Sequence, residues 1–150
     1  MQLVPISQDG SVDAPSRLSG YVIAQVVDAT VDLYNRRGFS PPWTGYLAVE
    51  NRRCVGSCGF AGPPHAGEVE LAYFTFPGNE GRGVASRMAG ALIAICQPEA
   101  ARNGLAFTAH TLPADGPSPT ILRKLGFAFL GAIEHPEDGT VWKWHRPSVA

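Results

Sequence analysis

The stretch Glu68-Val69-Glu70-Leu71-Ala72-Tyr73-Phe74-Thr75-Phe76-Pro77-Gly78-Asn79-Glu80-Gly81-Arg82-Gly83-Val84-Ala85-Ser86 decides the fold. Its first half reads as a strand over 68–76, ended by Pro77-Gly78-Asn79. Its second half is a glycine turn opening a helix over 84–97, with Met88, Leu92 and Ile95 on one face. Glycines at 81 and 83 admit φ > 0 and carry no Cβ, so several backbone N–H groups can converge on one anion. The helix start adds roughly half a unit of positive charge. A diphosphate is the natural guest. A P-loop would end in Gly-Lys-Ser/Thr, and this turn has no lysine. A dinucleotide fingerprint would follow the first strand of a βαβ unit and place a small residue at 86, which Ser86 matches loosely. A plain helix start that needs glycines for geometry alone also fits the turn.

Upstream, a short strand is expected over 3–6, followed by a turn-rich segment and Ser16 as a helix cap. Apolar residues then recur at helical spacing over 18–37, as one helix or two around Gly20, until Gly38 and Pro41-Pro42 stop the pattern. Segments 46–50 and 54–60 flank the polar turn Asn51-Arg52-Arg53 as a hairpin, and the loop over 61–67 carries Pro63-Pro64. Downstream, Pro98 is expected to close the helix and 105–112 to form a strand. Ser118 is the expected cap of a short helix over 120–125, with Pro119 at its first position and Gly126 at its stop. Strands over 127–134 and 140–145 finish the chain. With no repeat, linker or charge block, 1–150 reads as one domain.

Composition excludes several classes. Twelve Lys+Arg against 13 Asp+Glu leave a formal charge of −1, without the basic stripe of a nucleic-acid binder. The three cysteines lack metal-ligand spacing and read as reduced thiols of a cytoplasmic protein; no metal is expected. Met1-Gln2-Leu3-Val4-Pro5 does not read as a signal peptide, and no apolar run approaches the ~20 residues that cross a bilayer, so no membrane partner is expected. Gly (17) and Pro (13) are the excess, and both concentrate at the turns named above.

Glu80-x-x-Gly83-x-Ala85 resembles the Arg/Gln-x-x-Gly-x-Gly/Ala signature of the GNAT superfamily of N-acetyltransferases. Asp115-x-x-Ser118 with Leu122-Arg123-Lys124-Leu125-Gly126-Phe127 resembles the late Asn-x-x-Ser…Glu-Lys-x-Gly-Phe helix of the same superfamily. Gly83-Val84-Ala85 and Leu125-Gly126-Phe127 look most like the branch with ribosomal-protein N-terminal acetyltransferases. The resemblance implies an α+β fold: a mixed, mostly antiparallel sheet of about seven strands flanked by helices, with a splayed central parallel pair. It implies acetyl-CoA as cosubstrate, lying between the strands 68–76 and 105–112. Pantetheine would pair with the backbone of Phe74, Thr75 and Phe76, and pyrophosphate would sit on Gly81, Arg82, Gly83, Val84, Ala85 and Ser86. Glu80 replaces the usual Arg or Gln, and its carboxylate should point away from phosphate. Asp115 replaces Asn; it accepts an amide N–H from pantetheine but donates none.

Acetyl transfer needs a neutral amine. A lysine amine of pKa ~10.4 lies about 3 units above neutral pH, a deficit of roughly 4 kcal/mol, whereas an α-amine near ~8 is short by only about 1 kcal/mol. Glu70 is the candidate base, by alternation on the face of Ala72, Phe74 and Phe76; a solvated residue or an arginine partner is the alternative. Glu68 is its reserve, and His110 a second candidate. His65 reads as an exposed loop residue. The general-acid tyrosine of many relatives is Leu122 here, so acid assistance falls to water or Ser118, and Tyr73 is not expected to supply it. The acceptor amine should enter beside 34–43 and 61–67, where Phe39, Trp43 and Tyr46 suggest an aromatic contribution and Arg36 and Arg37 could meet a carboxylate. Trp142 and Trp144 read as core or dimer surface, which leaves a homodimer open. The function expected is acetyl transfer to a primary amine by direct attack in a ternary complex; a non-catalytic acyl-CoA sensor or interaction protein on the same fold is the alternative.

Overall fold

A computed structural model describes residues 1–13 and 20–148. The expected Ser16 cap and the helix start at Leu18 lie outside the described residues. In chain order the elements are β1 (Gln2–Pro5), α1 (Tyr21–Arg37), β2 (Gly45–Glu50), β3 (Arg53–Phe60), β4 (Glu68–Thr75), α2 (Val84–Arg102), β5 (Ala106–Thr111), α3 (Pro117–Lys124), β6 (Ala128–His135) and β7 (Gly139–Arg146). The seven strands form one sheet in the order β1-β2-β3-β4-β5-β7-β6. Every neighbouring pair is antiparallel except β4 with β5, the pair joined through α2. The α+β fold with a central parallel pair is the one expected.

Local chemistry explains the elements. Asn51 and Arg52 have φ of 51° and 64°. Two consecutive left-handed residues give the turn that matches strand twist in a tight hairpin, so β2 returns directly as β3. One sheet face is covered by α1, whose Val22, Ile23, Val26 and Val27 pack around buried Ile6, Leu47 and Phe76. The other face carries the larger core, in which Met88, Leu92, Cys96 and Ala100 of α2 recur every four residues against Val55, Val69, Leu71 and Phe107. Gly56 makes that approach close: a Cβ there would lie 2.6 Å from the Phe74 carbonyl oxygen and 2.8 Å from the Met88 sulfur.

Four details differ from expectation. Ile93 and Cys96 complete the buried face of α2, and Ile95 is half exposed, because a straight helix advances nearer four than three residues over this span. Pro98 does not close α2, which runs to Arg102 with the proline inside. Pro98 and Ala94 both lie on the exposed side, so the carbonyl that loses its N–H partner faces water while Ala100 stays buried beyond it. The stop comes at Asn103, whose side-chain amide donates to the Glu99 carbonyl at 2.8 Å, and at Gly104, with φ of 64°. Finally, α3 starts one turn earlier than expected. Gly116 is its N-cap and Pro117 its first residue, so Ser118 lies inside the first turn and makes no capping bond.

Of the aromatics expected at the acceptor mouth, Trp43 and Tyr46 are core, and Phe39 is partly buried edge-on to Tyr34. Trp43 meets Phe60 edge-on at 5.1 Å between ring centroids, and the Tyr46 hydroxyl donates to the Pro42 carbonyl at 2.7 Å. Trp144 is fully buried and donates to Thr111 Oγ1 at 3.0 Å, while Trp142 is partly buried against Phe129.

Buried Tyr34 ties α1 to the sheet. Its hydroxyl donates to the Ile6 carbonyl at 2.9 Å and accepts the Gly45 N–H at 2.8 Å. Tyr34→Phe leaves both backbone groups unpaired, each at a cost of about 1–3 kcal/mol where burial is complete. Urea titration should show a lowered midpoint with an unchanged slope; an unchanged midpoint would remove Tyr34 from this role.

Candidate active site

The pairing of β4 with β5 is short: Glu68 with Ala106, Val69 with Phe107 and Glu70 with Thr108. Beyond it, β4 continues to Thr75 against β3 alone, and β5 continues to Thr111 against β7 alone. Phe76 N–H donates to the Val55 carbonyl and Glu70 C=O accepts the Ala61 N–H, each at 2.9 Å. Backbone groups alternate sides along a strand, so the even-numbered residues of β4 serve β3. Leu71, Tyr73 and Thr75 therefore present their N–H and C=O groups to the gap that β5 has left. Of the trio expected to pair with pantetheine, Thr75 has its backbone on that side, while the Phe76 amide is already taken.

At the end of β4 the chain turns through Gly81 and Gly83, with φ of 74° and 75°, and Gly83 is the N-cap of α2. No side chain caps this helix, and its N-cap carbonyl, on Gly83, accepts the Arg87 N–H at 3.1 Å. The amides of Val84, Ala85 and Ser86 are thus left without helical acceptors. The Glu80 carboxylate folds back onto the Gly78 N–H at 2.8 Å in an exposed turn. Arg82 makes no ion pair among the described residues. A further residue organises the turn. Arg87 grips the Glu50 carboxylate with two bonds of 2.7 and 2.9 Å and donates from Nη1 to the Arg82 carbonyl at 2.8 Å. Its place one turn into a helix that begins with glycines was the signal available; its partner on β2 was not.

On the face of the sheet reached by Glu68 and Glu70 lies an open cleft of about 550 Å³, lined by Arg37, the loop from Ala61 to His65, Glu68, Glu70, Thr108, His110 and Lys143. Glu70 Oε2 and His110 Nδ1 are 3.2 Å apart, joined by the register that sets Glu70 beside Thr108. His135 of β6 meets the His110 ring edge-on at 5.6 Å. Glu68 is engaged elsewhere, accepting from Lys143 at 3.1 Å with His145 at 3.8 Å. The two base candidates on neighbouring strands therefore form one pair, and the reserve carboxylate is neutralised beside them.

A family model described as an acetyltransferase (GNAT) domain matches residues 20–128. The chain belongs to the GNAT acetyltransferases. Among curated proteins, none matches it by sequence. Solved structures agree on the fold. RimL, a ribosomal alpha-N-protein acetyltransferase in complex with coenzyme A, is 18% identical with a TM-score of 0.64, over 84% of this chain and 71% of that one. The acetyl-CoA complex of yncA from Salmonella typhimurium is 18% identical with a TM-score of 0.63, over 83% and 75%. An acetyltransferase of Salmonella typhimurium that modifies the N-terminal serine of a 50S ribosomal subunit protein is 18% identical with a TM-score of 0.61, over 82% and 72%.

In this GNAT chain Leu122 is fully buried in the main core, so α3 presents no hydroxyl at that position. Asp115 sits in the loop before α3, exposed, with Arg123 at 3.4 Å. Ser118 is half-buried on the first turn of α3, near the Tyr73 phenol. Among the described residues no group of His, Cys, Asp and Glu could hold a metal ion, and no helix is long and apolar enough to cross a membrane.

The Arg87 clamp holds the Glu50 carboxyl below its ordinary value, first through the hydrogen bond and then through charge. A carboxylate with a lowered folded value contributes stability above its unfolded pKa, and that contribution is lost as pH falls through the folded value. The Glu50→Gln variant should therefore lose stability near neutral pH and converge with the parent once the pH falls below the lowered Glu50 value. Melting curves across that range check it; parallel curves at every pH would exclude the clamp as a source of stability. Half exposure of Arg87 screens the pair, so the expected loss is small.

Proposed function

We propose that this GNAT protein transfers an acetyl group from acetyl-CoA to a primary amine by direct attack in a ternary complex. One observation carries the reading. The gap between β4 and β5 has bare backbone along one wall, the uncapped N-terminus of α2 at the turn that ends β4, and the Glu70–His110 pair at the end where the strands meet. Such a gap suits a long thioester. Its diphosphate would rest on the amides of Gly81, Arg82, Gly83, Val84, Ala85 and Ser86, with Arg82 adding charge. Its amide-bearing arm would take the place of the missing strand against Thr75 and Tyr73, with Phe74 and Phe76 holding that strand to β3. Asp115 lies on the far side of the gap as an acceptor.

The acceptor amine would enter the cleft beside Glu70. As nitrogen attacks the thioester carbonyl, Glu70 takes its proton directly or through water, and His110 orients the carboxylate and passes the proton on. Arg37 and Lys143 add positive charge at the same cleft, and the Pro63-Pro64 loop forms its rim. Relatives that act on ribosomal-protein N-termini support an α-amine, the class that needs the least help from a base. A cytoplasmic protein is supported by three free cysteines, two of them buried. The homodimer is supported by Phe129, Leu130 and Ile133 exposed on edge strand β6, and equilibrium sedimentation decides it.

The second reading, a non-catalytic acyl-CoA sensor, is favoured by Leu122 and Glu80, which stand where many relatives carry a tyrosine and an Arg or Gln. Acetyl-CoA should raise Tm in either case, and Gly83→Asp should abolish the rise, because it forces a side chain at φ of 75° and sets a carboxylate among the amides. Thiol release across amines and N-terminal peptides separates the two readings: release supports transfer, and binding without release over the panel supports the sensor. In the transfer case Glu70→Gln should lower kcat by about 100-fold with the acetyl-CoA Tm shift intact. Unchanged turnover would remove Glu70 as the base.

A further inference from the structure

Tyr73 carries the one buried side-chain polar atom among the described residues that lacks a hydrogen-bond partner, its phenol oxygen. The contrast with its neighbours is informative. Tyr34 and Tyr46 are also buried phenols, and both donate to backbone carbonyls, at 2.9 and 2.7 Å. Tyr73 stands three residues beyond the last β4–β5 pair, where the gap has opened. Its side chain leaves the sheet on the face opposite Glu70, against the core under α2 and α3. The Ser118 hydroxyl is close enough to oppose the upward shift that burial gives the phenol, yet the pair does not meet hydrogen-bond geometry.

We propose that the Tyr73 hydroxyl, assisted by Ser118, donates a hydrogen bond to the thioester sulfur of the acyl donor as the carbon–sulfur bond breaks. This rests on the acetyl-transfer reading above and gives the leaving group a partner that α3 does not supply, since its candidate position is Leu122. A thioester threaded between β4 and β5 would have Glu70 and His110 on the attacking side and Tyr73 and Ser118 on the departing side.

The step balances without another reactant. The amine lone pair forms the nitrogen–carbon bond, and the carbon–sulfur pair moves onto sulfur. The nitrogen proton passes to the Glu70–His110 pair and then to water. The thiolate, held by the Tyr73 O–H, leaves and takes a proton from solvent. Burial keeps the phenol above its usual value, so it stays protonated and acts as a donor rather than giving up its proton to a thiolate, the weaker base. An unpartnered buried hydroxyl is otherwise a cost to the fold.

The test uses coenzyme A alone with the full chain, read by the ultraviolet absorbance of the bound thiolate against pH. A donor at sulfur favours the charged form, so the bound thiol should titrate about one unit below its free value of ~8.5 in the parent. In Tyr73→Phe that titration should return to the free value or above, with the ligand-free Tm equal to or higher than the parent and kcat lower by at least ~10-fold. Ser118→Ala should move the titration the same way by less, and it carries the test if Tyr73→Phe does not fold. Identical titrations in parent and variants overturn the inference and leave acetyl transfer standing. Coenzyme A that neither shifts Tm nor titrates as a bound species overturns both.

Discussion

The parallel pairing of β4 and β5 lasts for three residue pairs, and the arrangement of the rest of the molecule follows from its ending there. Where the two strands part, β4 exposes main-chain donors and acceptors that no neighbouring strand among the described residues satisfies, and such groups are rarely left dry. β7 holds β5 on one side, β3 holds β4 on the other, and the core under α2 and α3 prevents the opening from collapsing. A ligand that offers amides and a diphosphate matches the two needs at once: the bare strand edge and the uncapped helix.

Charge is sorted along that opening. The Glu80 carboxylate beside the turn at Gly81 and Gly83 is bound back to the Gly78 N–H. The clamp from Glu50 through Arg87 to the Arg82 carbonyl braces the turn against the β2–β3 hairpin, so the cradle's position is set by the sheet and not by loop preference alone. At the other end, acids and bases are paired: Glu70 with His110, Glu68 with Lys143. Paired groups at the edge of an open cleft can exchange protons with water without large local rearrangement.

Much of this was legible in the sequence, and the misreadings have a common origin. Element order, the hairpin at Asn51-Arg52 and the glycine turn are governed by residues a few positions apart, and local chemistry is enough to read them. Pro98 was misread because its effect depends on which side of α2 it occupies. On the exposed side the lost hydrogen bond is replaced by water, and the helix continues. Ser118 was misread as a cap because Pro117 and Gly116 start α3 earlier. Trp43 and Tyr46 looked like ligand-facing aromatics because their burial depends on Phe60 and Pro42, which tertiary structure brings to them. Glu70 and His110 could each be singled out from strand alternation, but their pairing required the β4–β5 register. The unmatched Tyr73 hydroxyl had no local signal at all: an orphan is defined by what the surrounding fold fails to provide.

Helix α2 has two ends with different duties. Its first residues leave uncapped amides at the glycine turn, and its last turn hands the chain to Leu105 and β5, which forms the far wall of the opening. Nineteen residues at ~1.5 Å each set those ends roughly 28 Å apart. Removing one residue would turn everything downstream by ~100° about the helix axis and swing Leu92, Cys96 and Ala100 off the sheet. A residue added to or removed from the loops over 61–67 or 136–138 leaves the sheet in register, whereas within α2 only a change close to a whole helical turn does. The helix is a ruler as well as a connection.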